Sequence, residues 1–247
     1  MFDGTIENPL ALILFLGLFT ISAPTALIAA RSHSGPPEPP LLSVLGPVSL
    51  AGLWLALLPL SVLSAALSLE MIGVFGTEEI DTGFVEYATV LAWGLTAFVC
   101  ARIGARRRSW DRLFFWSASV VAVFLLGEEI SWGQWIFFWS SPELFAESNL
   151  QGETNAHNFL SPQAFELAYA AVGLGMAAAA IFVRFSRRAA VITWSGLAWL
   201  RQSRWGAALA LSTAVMMQHH LVQELSELAL AMTALYAVNW IRLAEAR

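Results

Sequence analysis

Gly127 to Trp139 reads GEEISWGQWIFFW. Two adjacent glutamates stand in a run otherwise dominated by isoleucine, phenylalanine and tryptophan, and the medium around that run decides the fold. Of 247 residues, 57% are hydrophobic and only 13% are charged, the composition of a polytopic membrane protein rather than a water-soluble globule. The glutamates then face lipid, protein or a wet cavity. An ionised carboxylate at mid-bilayer costs roughly 2.5 to 3.5 kcal/mol on insertion scales, so an intramembrane acid marks a functional site by default.

Outward from that stretch, apolar runs near 9–30, 41–67, 84–101, 113–139, 163–183, 204–219 and 221–241 predict seven spans. Most have the roughly 20 residues that a 30 Å hydrocarbon core requires. The last two share one apolar run, which Gln218, His219 and His220 are expected to divide. Orientation follows from arginine, because the chain has no lysine and 13 arginines. All of them, from Arg31 through the Arg102–Arg112 and Arg184–Arg204 groups to Arg242 and Arg247, fall on one side of a seven-span arrangement. The positive-inside rule makes that side cytoplasmic. The opposite loops are acidic, with Glu70, Glu78, Glu79 and Asp81 after the second span and Glu143, Glu147 and Glu153 after the fourth.

The expected fold is therefore an all-α, polytopic membrane helix bundle of about seven transmembrane helices, with the N-terminus outside and the C-terminus cytoplasmic. Residues 1–247 form a single integral membrane domain of the inner, cytoplasmic membrane. The net charge of −5 reflects separation of charge across the membrane and points to no nucleic-acid partner. Asp3 and Glu7 precede the first span without a basic residue, which is wrong for a cleaved secretory signal. The lone cysteine, Cys100, allows neither a disulfide framework nor a cysteine metal cluster.

Residues 31–40, RSHSGPPEPP, read as a stiff proline-rich cytoplasmic link, residues 140–162 as an outer loop carrying a short amphipathic helix, and residues 189–203 as an interfacial segment. Ser141-Pro142 and Ser161-Pro162 each suggest an N-cap serine with proline at the first helical position. Ala171, Gly175 and Ala179 form a small-residue stripe suited to close helix packing.

At 100° per residue, a continuous helix would put Glu128, Ser131, Trp132 and Trp135 on one face, flanked by Glu129 and Gly133. On the last span His220, Gln223, Glu224 and Glu227 fall within roughly a third of the circumference. Glu86 and the loop residues His157 and Asn158 come to the same depth. The candidate catalytic residues are Glu128, Glu129, His157 and His220, and a polar pocket would add Glu86, Trp132, Gln134, Asn158, His219, Gln223, Glu224 and Glu227. The competing reading makes the adjacent glutamates hydrogen-bonded helix glue and most of the eleven tryptophans an interfacial belt.

GEEISWGQ, followed after a short amphipathic piece by QGETNAHN (Gln151 to Asn158), resembles the signature of a group of uncharacterised bacterial multi-pass membrane proteins. The resemblance implies a bacterial protein in which both segments belong to one site. A weaker similarity is to CAAX-type glutamic intramembrane proteases, whose EExxxR motif is matched at Glu128-Glu129 but meets Gly133 at the arginine position. No FxxxH precedes His219 and His220.

Three classes of function fit. A hydrolase-type enzyme would use a carboxylate as general base, with a histidine or a bound divalent metal stabilising the oxyanion, on a lipid or membrane-embedded peptide reached from the outer leaflet. Glutamate and histidine without cysteine suit zinc, iron or manganese. A structural or accessory subunit of a membrane complex, with histidines holding a pigment or haem, is the second. A proton- or ion-coupled transporter is the third, disfavoured by the scarcity of polar groups in the cytoplasmic halves of the spans. The enzyme is the favoured reading.

Overall fold

The computed structural model describes residues 84–185, 195–217 and 223–244, and these are helical with no strand among them. In chain order the helices are α1 (Phe84–Arg106), α2 (Ser109–Glu129), α3 (Gln134–Phe137), α4 (Glu143–Ser148), α5 (Pro162–Phe185), α6 (Ser195–Gln202), α7 (Gly206–Met216) and α8 (Gln223–Ala244). Single 3-10 turns lie at Ser131–Gly133 and His157–Phe159. Among the described residues, three segments are long and apolar enough to cross a membrane: Glu86–Arg106, Ser109–Glu129 and Leu167–Phe185. They overlap the third, fourth and fifth expected spans, although the fourth, expected to reach residue 139, ends at Glu129. The first two expected spans and the 31–40 link lie outside the described residues.

α1 and α2 form an antiparallel hairpin closed at Arg107-Arg108, where Arg107 Nη1 lies 3.3 Å from Asp111 Oδ2. Glycine lets the two helices approach: a Cβ at Gly94 would meet Leu126 at 3.3 Å, and one at Gly104 would meet Trp116 at 3.0 Å. Between these points Ser119 Oγ donates to the Ala97 carbonyl at 2.8 Å, which satisfies a hydroxyl in apolar surroundings. The stripe on α5 behaves otherwise. Gly175 is exposed and a Cβ there would meet nothing within 4 Å among the described residues.

α8 runs parallel to α1, with Leu230 to Leu235 grouped around Ala92, Trp93 and Ala97, and Tyr236 to Ile241 around Val99, Cys100 and Ile103. α7 is buried on every side. Its Thr213 shares a hydroxyl contact of 2.8 Å with Thr233, and Ser203, just before it, meets the Tyr236 hydroxyl at 2.7 Å. At eleven residues α7 rises only about 16 Å, short of a hydrocarbon core. The expected sixth span is thus, over its described length, an enclosed core helix, and α8 is long enough to cross but is not among the apolar crossing helices. The interfacial segment is seen from Ser195, as α6, whose Arg201 carbonyl accepts from Arg184 Nη1 at 2.8 Å.

This arrangement sorts charge by end. Arg102 to Arg112 sit at the α1–α2 turn, Arg184 ends α5, Arg201 ends α6 and Arg242 ends α8. The starts of α1 and α8, with Glu86 and Glu227, and the end of α2, with Glu128 and Glu129, lie at the other end.

Candidate functional site

The predicted continuous helix through 113–139 does not form. α2 stops at Glu129, and Ser131, Trp132 and Gly133 all take left-handed backbone angles, with φ of 45°, 55° and 89°. Only Gly133 adopts this without steric cost; at Ser131 and Trp132 such a backbone is typically uphill by about 1 to 3 kcal/mol and persists only where surrounding contacts hold it. Those contacts come from the polar loop. The helical wheel drawn beyond Glu129 therefore gives way to a reversal of the chain, which aims Trp132 back at its own helix.

The reversal answers why Glu128 stands where it does. A carboxylate in the last turn of a helix opposes the macrodipole, and no basic residue occupies that turn. Donors from elsewhere compensate. Trp132 Nε1–H donates to Glu128 Oε1 at 2.7 Å, and the backbone N–H groups of Ala156 and His157 both donate to Oε2, at 2.6 and 2.9 Å. The Glu128 side chain is only 8% exposed, and His157 Nδ1 stands 3.4 Å from Oε2 with its ring 36% exposed. Phe165, at the start of α5, flanks the imidazole with ring centroids 5.9 Å apart.

A second set of bonds holds the same two segments together. Ser131 Oγ donates to Glu153 Oε2 at 2.5 Å, and Asn155 Nδ2 donates to both Ser131 Oγ (3.1 Å) and Glu153 Oε2 (3.0 Å). Asn155 is fixed in turn by Asn149, whose Nδ2 reaches the Asn155 carbonyl at 2.8 Å. Gln134 Oε1 accepts from the Thr154 N–H at 2.8 Å and from Ser141 Oγ at 3.2 Å. GEEISWGQ and QGETNAHN thus interlock residue against residue into a polar cap. Gly127 completes it: a Cβ there would meet the Trp132 ring at 2.9 Å. Gly127→Ala is expected to push the indole off Glu128 and destabilise the protein by about 1 to 3 kcal/mol, the usual range for overpacking. Gly175→Ala, at an open position inside α5, is the contrast and is expected to leave stability unchanged or to raise it by up to about 1 kcal/mol, and thermal melting in detergent compares them.

Of the candidate residues, the cap brings together Glu128, Trp132, Gln134 and His157. Asn158 belongs to its edge, where its Nδ2 bonds Gln151 Oε1. Glu129, Glu86 and Glu227 are half-buried at the same end of the bundle but are not partners of the Glu128 carboxylate. Gln223 and Glu224 begin α8, and His219 and His220 lie outside the described residues. Ser161 caps α5 as expected, accepting the Ala164 N–H at 3.3 Å. Ser141 does not cap α4. Pro142 takes the cap position without a side-chain bond, and Ser141 Oγ instead donates to the Gly152 carbonyl. Four further residues join the site: Glu153 and Asn155 are signalled by the crowding of polar side chains in QGETNAHN, whereas Ser131, in GEEISWGQ, and Asn149, just before the second segment, carry no such signal. No group of three histidine, cysteine or acidic side chains among the described residues is arranged to hold a metal ion, and both Glu128 oxygens already accept N–H donors.

No family model matches this chain, and neither a curated protein nor a solved structure matches it.

Proposed function

We propose that this is an integral, multi-pass protein of a bacterial inner membrane whose outward-facing cap is a hydrolase-type catalytic site. The observation that carries the reading is a buried carboxylate, Glu128, within 3.4 Å of the Nδ1 of a half-exposed histidine. In this reading the roles expected from the sequence are exchanged. Glu128, bound on both oxygens, is the group that orients, and His157, with its ring reaching solvent, is the general base. In the proposed step His157 Nε2 takes a proton from water as its oxygen attacks the carbonyl carbon of an ester or amide. The imidazolium then returns that proton to the leaving group as the carbonyl–heteroatom bond breaks. Glu128 favours the Nδ1–H tautomer and stabilises the transient positive charge, a role familiar from carboxylate–histidine pairs in hydrolases.

The positive-inside rule puts the arginine end in the cytoplasm and the cap outside, so the substrate would be a lipid or membrane-embedded peptide approached from the outer leaflet. A second reading has its own support: Glu128's bonds are all made within the cap, as expected of a rigid platform on an accessory membrane subunit. Complementation of a deletion strain by His157→Gln separates the two. Loss of function at unchanged melting temperature supports the hydrolase, and full complementation supports the platform.

A further inference from the structure

We propose that Ile136–Trp139 is a hydrophobic wedge seated in the lipid of the cap-side leaflet, not a loop in water. No charged residue occurs between Glu129 and Glu143, and the four side chains are 58%, 70%, 86% and 42% exposed in order. Exposure of one large apolar residue is ordinary, but four in succession form a patch that water does not favour. The backbone carries a second, independent sign. Phe138 takes a left-handed φ of 57° while its side chain touches little of the protein. A left-handed backbone is uncommon in a bulky residue; here the Phe138 N–H closes α3 on the Gln134 carbonyl at 2.7 Å, and the ring is left turned out from the protein.

Lipid is the occupant because the patch continues the apolar face of a membrane-crossing helix. Val120, Val123 and Phe124 are exposed on α2, Phe124 packs edge-on against Trp132 at 5.8 Å between centroids, and the chain then runs directly into Ile136. Phe137 and Trp139 stack at 5.6 Å, giving the wedge a flat aromatic side of the kind enriched at membrane interfaces. The left-handed residues Gly133 and Phe138 bracket the single turn of α3. The inference is independent of the chemistry proposed for His157.

The test places single nitroxide labels on the full chain in phosphatidylcholine–phosphatidylglycerol vesicles, after Cys100→Ala, at Ile136→Cys and Phe138→Cys. Val120→Cys gives a lipid reference and Glu147→Cys, exposed on α4, a water reference. Collision rates with oxygen, which partitions into lipid, and with a water-soluble nickel chelate are compared. Labels at 136 and 138 are expected to follow Val120, with oxygen collisions exceeding those with nickel. Nickel collisions matching those at Glu147 would overturn the wedge. Low collision with both reagents, as in a contact between two copies of the chain, would overturn it equally.

Discussion

Glu128→Ala is expected to lower the stability of the purified protein by about 3 kcal/mol, more than any other single change in the cap. Hydrogen bonds to a carboxylate are each worth about 1.5 to 3 kcal/mol. Removing the carboxylate releases three donors at once: the Trp132 indole and the Ala156 and His157 amides. Shared acceptors do not add in full, so the sum is discounted. For a chain of this length the loss corresponds to roughly 6 to 12 °C of melting temperature. The same variant should become susceptible to protease between Asn149 and Phe159. Glu128→Gln falls between, although it matches in size. Donors face both oxygens, so whichever way the amide is turned its NH₂ meets another N–H. An unchanged melting temperature in Glu128→Ala would show that the loop is held by something else.

The second large effect is on activity. His157→Gln is expected to reduce complementation rate by a factor of roughly 10² to 10⁴, the usual contribution of a positioned general base, with little change in melting. The half-exposed ring contributes little to folding through its contact with Glu128, and the residue's backbone N–H bond to Glu128 Oε2 survives the substitution. If Glu128 acts through His157, the double variant Glu128→Gln/His157→Gln should lose no more activity than the worse single variant, because the two groups work as a unit. Losses that multiply would assign them separate tasks.

Several features of this account can be read in the sequence alone. The apolar runs locate α1, α2 and α5 because a crossing helix needs only length and hydropathy, both local properties. Ser161-Pro162 announces the start of α5 for the same reason. The end of α2 is not legible that way. Ile130 to Trp139 continues the apolar pattern, and the left-handed turn that interrupts it is held in part by the bonds of Ser131 with Glu153 and Asn155, which are distant in sequence. Ser141 shows the complementary error: a serine before proline is a good local cap signal, yet its hydroxyl bonds Gly152 and Gln134 across the loop. Glu128 is legible as an acid in apolar surroundings, whereas the two backbone amides that hold its Oε2 carry no side-chain signature.

The carboxylate of Glu128 ties the two polar segments together through the amides of Ala156 and His157. Amide hydrogen exchange across 150–160, in nanodiscs, reads this directly, since neither amide is bonded to a helix carbonyl. In the wild-type protein both are expected to exchange far more slowly than an open loop. In Glu128→Ala that protection should vanish while the amides of α1 and α8 stay protected. Rapid exchange at Ala156 and His157 in the wild type would contradict the claim.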